Sequence, residues 1–266
     1  MAYQQQQRQD VVALEKYSAT LAAQTINWLT TDVAEGKIKA IPGYDAGTEI
    51  TTAMLKLTQV KDRTGALALT VCTKESVISA IRDMAIQGLS MTRSQCYPIV
   101  YGNQLQIQRS YFGTLAVFGR MFPNLKVNVG LVHKGDEYEF GVDEITGCNY
   151  IIGVKSSLES LDSPIIAAYG SLIDKTTGEQ VYSDVMTWKQ IQTAWSHAKT
   201  DKVQKEFPDQ MAKRTLINRL CKLYVNAFGT TDNSAMMDSF IRTTQNEYQE
   251  EGAQEREATK SEEDIR

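Results

Sequence analysis

Apolar residues recur at helical spacing along the first third of the chain and then give way to strict alternation. Val11, Leu14, Ser18, Leu21, Thr25 and Trp28 follow a Gln-rich start and mark one face of an amphipathic helix that should end before Gly36. Ile50, Ala53, Met54, Leu57 and Val60 predict a second helix, capped by Thr48 and stopped by a turn at 62–65. A third starts at the cap Thr73, carries the stripe Val77, Ile78, Ile81, Met84 and Ala85, and stops at Gly88. After Gly88 the period becomes extended. Residues 96–101, a Gly102-Asn103 turn and residues 105–108 read as a hairpin, 111–121 returns to helix, and Pro123 closes it. Val127, Val129 and Leu131 alternate with polar residues, Gly135-Asp136 makes a hairpin turn, and Tyr138, Phe140 and Val142 alternate again.

Further strands are expected at 150–154, 164–173 and 180–186, with a turn at 175–178 between the last two. Thr187-Trp188-Lys189-Gln190 has the form of a capping box and should start a helix that buries Trp188, Ile191, Ala194 and Trp195. A lysine-rich loop at 199–206 leads to a final helix. The order predicts an α+β fold, a mostly antiparallel β-sheet packed with helices before, inside and after it. It divides into an N-terminal helical region (1–65), an α+β core (66–230) and a flexible acidic C-terminal tail (231–266), the last being polar and poor in large apolar groups beyond about Asp238.

The final helix changes the picture, because its cations are sorted. Pro208 and Asp209 suit a first turn, and Leu216, Ile217, Leu220, Leu223 and Tyr224 form the apolar face. At about 100° per residue, Arg214, Asn218, Arg219 and Lys222 fall on the other face. Lys213 projects along the apolar line, where its ammonium must either snorkel out or meet an anion. Residues 187–223 hold eight cations (Lys189, Lys199, Lys202, Lys205, Lys213, Arg214, Arg219, Lys222) against Asp201, Glu206 and Asp209, a net of +5. From Glu247 onward eight acids face Arg256, Lys260 and Arg266, a net of −5, so the whole-chain −4 leaves +1 for residues 1–246. The acidic balance therefore lies in the tail, and the body can present a basic surface to a polyanion.

Other chemistry is sparsely supported. Cys72, Cys96, Cys148 and Cys221 are widely spaced and, with His133 and His197 the only histidines, offer no zinc-like cluster; they read as reduced, partly buried residues. No Gly-x-x-x-x-Gly-Lys-Ser/Thr loop occurs, no motif places a nucleophile or paired carboxylates beside either histidine, and Gly135-Asp136-Glu137 reads as a turn rather than a metal site. No cofactor is expected. The start has no apolar leader and no apolar run is long enough to cross a bilayer, so a cytoplasmic protein with no membrane partner is expected. Trp188 and Trp195 share the apolar side of their helix and are expected to pack in the core. Tyr111, beside Arg109, either packs on the sheet or stacks on a base.

Several stretches, in order, resemble the RecT family of phage-type single-strand DNA annealing proteins. They are Ser79-Ala80-Ile81 with Gln87-Gly88-Leu89, then Leu105-Gln106-Ile107-Gln108-Arg109-Ser110-Tyr111-Phe112-Gly113, then Val132-His133-Lys134-Gly135-Asp136-Glu137-Tyr138-Glu139-Phe140. Met186-Thr187-Trp188-Lys189-Gln190-Ile191 and Met211-Ala212-Lys213-Arg214-Thr215 with Arg219-Leu220 complete the set. In one place the chain departs: the family's Gly-Tyr-basic-Gly step is Ser110-Tyr111-Phe112-Gly113 here, which removes a cation at Phe112 and leaves Arg109 or Arg120 as substitutes.

The resemblance implies a non-catalytic, ATP-independent recombinase that binds single-stranded DNA, anneals it to its complement through a duplex intermediate, and works as a homo-oligomeric ring or filament. The acidic tail is expected either to lie over the basic region and compete with DNA for it, or to dock a partner exonuclease or host single-strand-binding protein. The strand contacts expected in the core are Arg109, Tyr111, Arg120, Lys189, Lys199, Lys205, Lys213, Arg214, Arg219 and Lys222. Two other readings stay open from the residues alone. One is a magnesium-dependent, nuclease-like DNA-processing enzyme or its accessory module, with Asp136, Glu137 and Asp143 as ligands; the other is a helical scaffold whose basic face meets an acidic protein.

Overall fold

A computed structural model describes residues 2–144, 146–196, 202–228 and 233–244. The fold is α+β with antiparallel sheets, as the pattern predicts, and contacts divide it into two compact units: one runs to Val117 and takes in the C-terminal segment from Thr230, the other spans Phe118–Gly229. Residues 66–117, expected to share a core with the later strands, fall in the first unit.

The first unit opens with α1 (Ala2–Ala34), which buries Ser18, Leu21, Ala22, Thr25 and Leu29 at helical spacing. Ser18 Oγ donates to Met54 O at 2.8 Å, and Gly36, at φ 74, lets the chain turn away after the helix. Farther up the same helix Val11 and Val12 are exposed. In α2 (Ala46–Leu57) the cap is Asp45 and not Thr48: the Asp45 carboxylate accepts from Thr48 N at 3.1 Å and from the Thr48 hydroxyl at 2.6 Å. Both residue types suit a cap, but an anion gains more from the positive end of the helix, and the Thr48 hydrogen bonds hold the Asp45 carboxyl below its usual range.

A single turn, α3 (Ala68–Val71), precedes α4 (Lys74–Ile86), where Thr73 Oγ1 accepts from Ser76 N at 3.2 Å. Gly88, at φ 65, closes α4 as Leu89 N reaches back to Met84 O at 2.9 Å. Strands β1 (Cys96–Tyr101) and β2 (Gln104–Arg109) form the expected hairpin, with Tyr101 opposite Gln104, and β2 buries Leu105, Ile107 and Arg109. The helix over 234–244 completes this unit. Its Met236, Met237, Ser239, Phe240, Thr243 and Thr244 are all buried, so the expected flexible tail does not begin at 231.

Helix α5 (Tyr111–Met121) starts in the first unit and ends in the second. The second unit continues with β3 (Leu125–His133), β4 (Glu137–Val142), β5 (Asn149–Lys155), the turn α6 (Leu158–Leu161), β6 (Ile165–Asp174) and β7 (Gln180–Thr187). Helices α7 (Trp188–Ser196), α8 (Lys202–Glu206) and α9 (Pro208–Phe228) follow. The turn at Gly135-Asp136 exists, but β3 and β4 do not pair across it. Strand β3 pairs with β6, which pairs with β7, and β4 pairs with β5 in a separate sheet. The turn is held otherwise: Asp136 accepts from His133 N at 2.7 Å and from Ser160 Oγ at 2.5 Å, which ties it to α6 rather than to a continuing ladder.

Each face of the three-stranded sheet is covered. On one side Leu131, Ile165, Ala168 and Met186 pack with Ile191 of α7 and with Ala212 and Leu216 of α9. On the other, Val132 and Ala167 pack with Ile151 of β5. Two cross-strand glycines make room for rings: a Cβ at Gly130 would stand 2.4 Å from the Tyr169 ring, and one at Gly141 would stand 2.4 Å from that of Tyr150.

Candidate nucleic-acid interface

Helix α9 is fixed by its apolar side. Ala212, Leu216, Ile217, Leu220, Cys221 and Val225 are buried, and each of the large aliphatic side chains contributes roughly 1.5–3 kcal/mol by leaving water. Trp188 and Trp195 lock α7 beside it as expected. Their rings meet edge-to-face at 5.3 Å, and Trp195 Nε1 donates to Thr215 Oγ1 at 2.8 Å. The capping box also forms, with Thr187 N donating to Gln190 Oε1 at 2.9 Å and Gln190 N to Thr187 Oγ1 at 3.4 Å. Ala194, expected to be buried, is exposed.

This scaffold brings several of the expected cations together. Lys189 is exposed in the first turn of α7, Lys205 is exposed in α8, which packs on α9, and Lys213 is exposed on α9 itself. Of the two ways out for Lys213, the structure takes the solvent one. Arg214 and Lys222, two helical turns apart in one row of α9, are half-buried, and both have partners within the fold. Arg120 ends α5, half-buried and likewise engaged. Lys199 lies outside the described residues, as do His197 and the acidic segment from Glu247.

Two of the expected contacts have other work. Arg219 faces Asp184 of β7, with Nε 2.8 Å from Oδ2 but misaligned for a hydrogen bond, and Nη2 3.4 Å from Oδ1. Asp184 is 8% exposed; burial pushes its carboxyl up while Arg219 pulls it back down. The pair was foreseeable, since alternation along β7 puts Asp184 on the same side as Tyr182 and the buried Met186. A four-ring cluster, in which Tyr224 meets Phe118, Phe122 and Tyr182 at 5.9, 5.2 and 5.8 Å, surrounds that end of α9.

In the first unit, Arg109 is 2% exposed. Its Nη1 donates to Gln87 Oε1 at 3.0 Å, to Phe240 O at 3.2 Å and to Thr243 Oγ1, while Nη2 donates to Thr244 Oγ1. The guanidinium also lies 4.0 Å from the centre of the Phe240 ring. Phe240, Thr243 and Thr244 lie on one face of the 234–244 helix, and Gln87 caps α4. A guanidinium so enclosed is not presented to a strand, and the expectation for Arg109 is corrected accordingly. Beside it, Asp83 binds Arg242 and accepts from Ser239 Oγ at 2.9 Å, and Gln87 Nε2 donates to the same hydroxyl at 2.9 Å. Nothing in the local pattern foretold this seam, because both of its sides are polar. Tyr111, half-buried, has its ring 4.0 Å from that of Phe112.

The carboxylates of the nuclease-like reading are each committed to a turn or a pair. Asp136 is held by His133 N and Ser160, Glu137 meets Lys155 Nζ at 3.2 Å, and Asp143 accepts from Thr146 N at 2.7 Å. Among the described residues no group of three His, Cys, Asp or Glu side chains is arranged to hold a metal ion, and no helix is long and apolar enough to cross a membrane. No curated protein matches the chain. The model of the RecT family matches residues 49–262, most of the chain.

Proposed function

The chain belongs to the RecT family, and from that premise we propose that it binds single-stranded DNA and anneals complementary strands in phage-type recombination. It does so without nucleotide hydrolysis, as a homo-oligomeric ring or filament in the cytoplasm, and it is not a catalyst. Family membership carries the reading. The arrangement of the second unit supports it: Lys189, Lys205, Lys213, Arg214 and Lys222 stand on three helices, two of them packed on one face of a sheet and the third on α9, a rigid mount for phosphate-seeking cations. Lys199 and Arg120 are proposed as further contacts, and Arg219 as a residue that orients α9 through Asp184. Self-assembly has a physical motive, because weak nucleotide contacts must be held in register along one strand. The upstream half of α1, with Val11 and Val12 exposed, is the proposed subunit contact, and the acidic tail is proposed to compete with the strand for the basic region, docking of an exonuclease or host single-strand-binding protein being the rival role.

Titration of a fluorescent oligonucleotide between low and moderate salt tests the strand-binding step. Affinity should fall steeply with salt and depend little on sequence, since the contacts are cations without a base-reading helix. A flat salt response overturns the reading. Incubation of the same strand with magnesium should leave it intact, whereas cleavage would favour the DNA-processing alternative.

A further inference from the structure

The rings of Tyr111 and Phe112 lie 4.0 Å apart, with their planes inclined by 33°. Successive residues of a helix point about 100° apart and do not face each other, so this stacking is something the first turn of α5 has to arrange. Ser110 N donates to Gln95 O at 3.0 Å and Ser110 Oγ to Ser94 O at 2.7 Å, which fixes the residue before the helix against the loop at 91–95. Gly113 follows the two rings, and a Cβ there would stand 2.0 Å from Gln95 O, so the turn sits directly on the loop backbone. Tyr111 is thereby half-buried, and Phe112 keeps 51% of its surface in solvent. One ring is anchored and the other is presented.

The loop under this turn is polar. Thr92, Arg93 and Ser94 are exposed in the loop that Ser110 binds, and the Arg93 side chain keeps 65% of its surface in solvent, 4.0 Å from the Glu49 carboxylate. A stable protein partner needs about 800 Å² on each side, far more than a ring pair supplies, but an exposed planar ring held on a fixed turn has the size and chemistry to stack on a single base. We propose that Phe112, backed by Tyr111, is a nucleobase-stacking platform for the single strand. The inference rests on the strand-binding reading above and adds to it a base contact in the first unit. At this position the chain exchanges the family's cation for a ring, and with it a salt-sensitive contact for one that tolerates any base and is little affected by salt.

The test uses the full chain and two fluorescent oligonucleotides of equal length, one of thymidine nucleotides and one of abasic tetrahydrofuran nucleotides, which keeps the phosphates and removes the bases. Phe112→Ala should bind the thymidine strand about tenfold more weakly than the unaltered protein and the abasic strand equally well. Phe112→Trp should keep the unaltered affinity for both, and both variants should give unchanged circular dichroism, because the ring is exposed. Equal loss on the two strands, or no loss on either, overturns the platform while leaving strand binding in place. A change in mass by light scattering without DNA would assign the ring to a contact between copies and overturn it too. Failure of the unaltered protein to bind either strand overturns both readings together.

Discussion

At the scale of single residues, two arginines that the sequence placed on a DNA-binding surface are held by the fold, and two lysines expected on that same surface are presented. Lys213 and Lys189 are exposed, whereas Arg219 balances the buried Asp184 and Arg109 is enclosed by the 234–244 helix. Substitution should separate these roles. Arg219→Ala leaves Asp184 without its cation and is expected to lower unfolding free energy by about 1–3 kcal/mol in denaturant titration. Lys213→Ala should change stability by less than about 0.5 kcal/mol yet weaken strand binding. Lys213→Ala and Arg214→Ala should each weaken binding more than Lys260→Ala in the acidic tail, and equal effects would make α9 a merely solvated surface. Thiol chemistry gives an independent check on burial. Cys96 is 2% exposed and its thiol is pushed up to about 12, chiefly by burial, while Cys148 is only half-buried. At pH 8 an alkylating reagent should label Cys148 first and reach Cys96 only on unfolding; fast labelling of Cys96 in the native protein would contradict the packing of β1.

At the scale of elements, what the sequence shows and what it hides divide by the range of the interaction. Helix α4 is legible from Thr73 to Gly88 because period, cap and stop are all written locally, and α5 from Tyr111 to Met121 by its span and the Pro123 stop. The strands are legible for the same reason, but their partners are not: alternation at Val127–Leu131 and Tyr138–Val142 looks like a hairpin, while the ladder of β3 is made with β6 about ten residues beyond β5. The 234–244 helix is hidden for a different reason. Its inner side mixes Met236, Met237 and Phe240 with Ser239, Thr243 and Thr244, and these hydroxyls are satisfied by Gln87, Asp83 and Arg109, more than 130 positions away in sequence. Phe240→Ala should therefore cost about 3 kcal/mol or more, since it removes a buried ring and the face that covers the Arg109 guanidinium. Wild-type stability in that variant, measured by thermal or chemical unfolding, would show that the helix is not part of the first unit's core.

At the scale of the molecule, charge and assembly decide how a basic body with an acidic end handles a polyanion. Residues 247–266 carry a net −5 against +5 over 187–223. Removing them is expected to tighten strand binding at low salt, with the difference fading as the Debye length shrinks to about 8 Å near physiological ionic strength. Unchanged binding with loss of a pull-down partner would assign the tail to docking instead. Light scattering should find assemblies larger than a monomer, with or without DNA, and a persistent monomer would leave annealing without its register-holding array. The central claim is annealing itself, and two complementary oligonucleotides mixed with the purified full-length protein, with no ATP, test it most directly. The account predicts duplex formation markedly faster than in protein-free buffer at protein concentrations that saturate the strands, and no acceleration at any such concentration would contradict it.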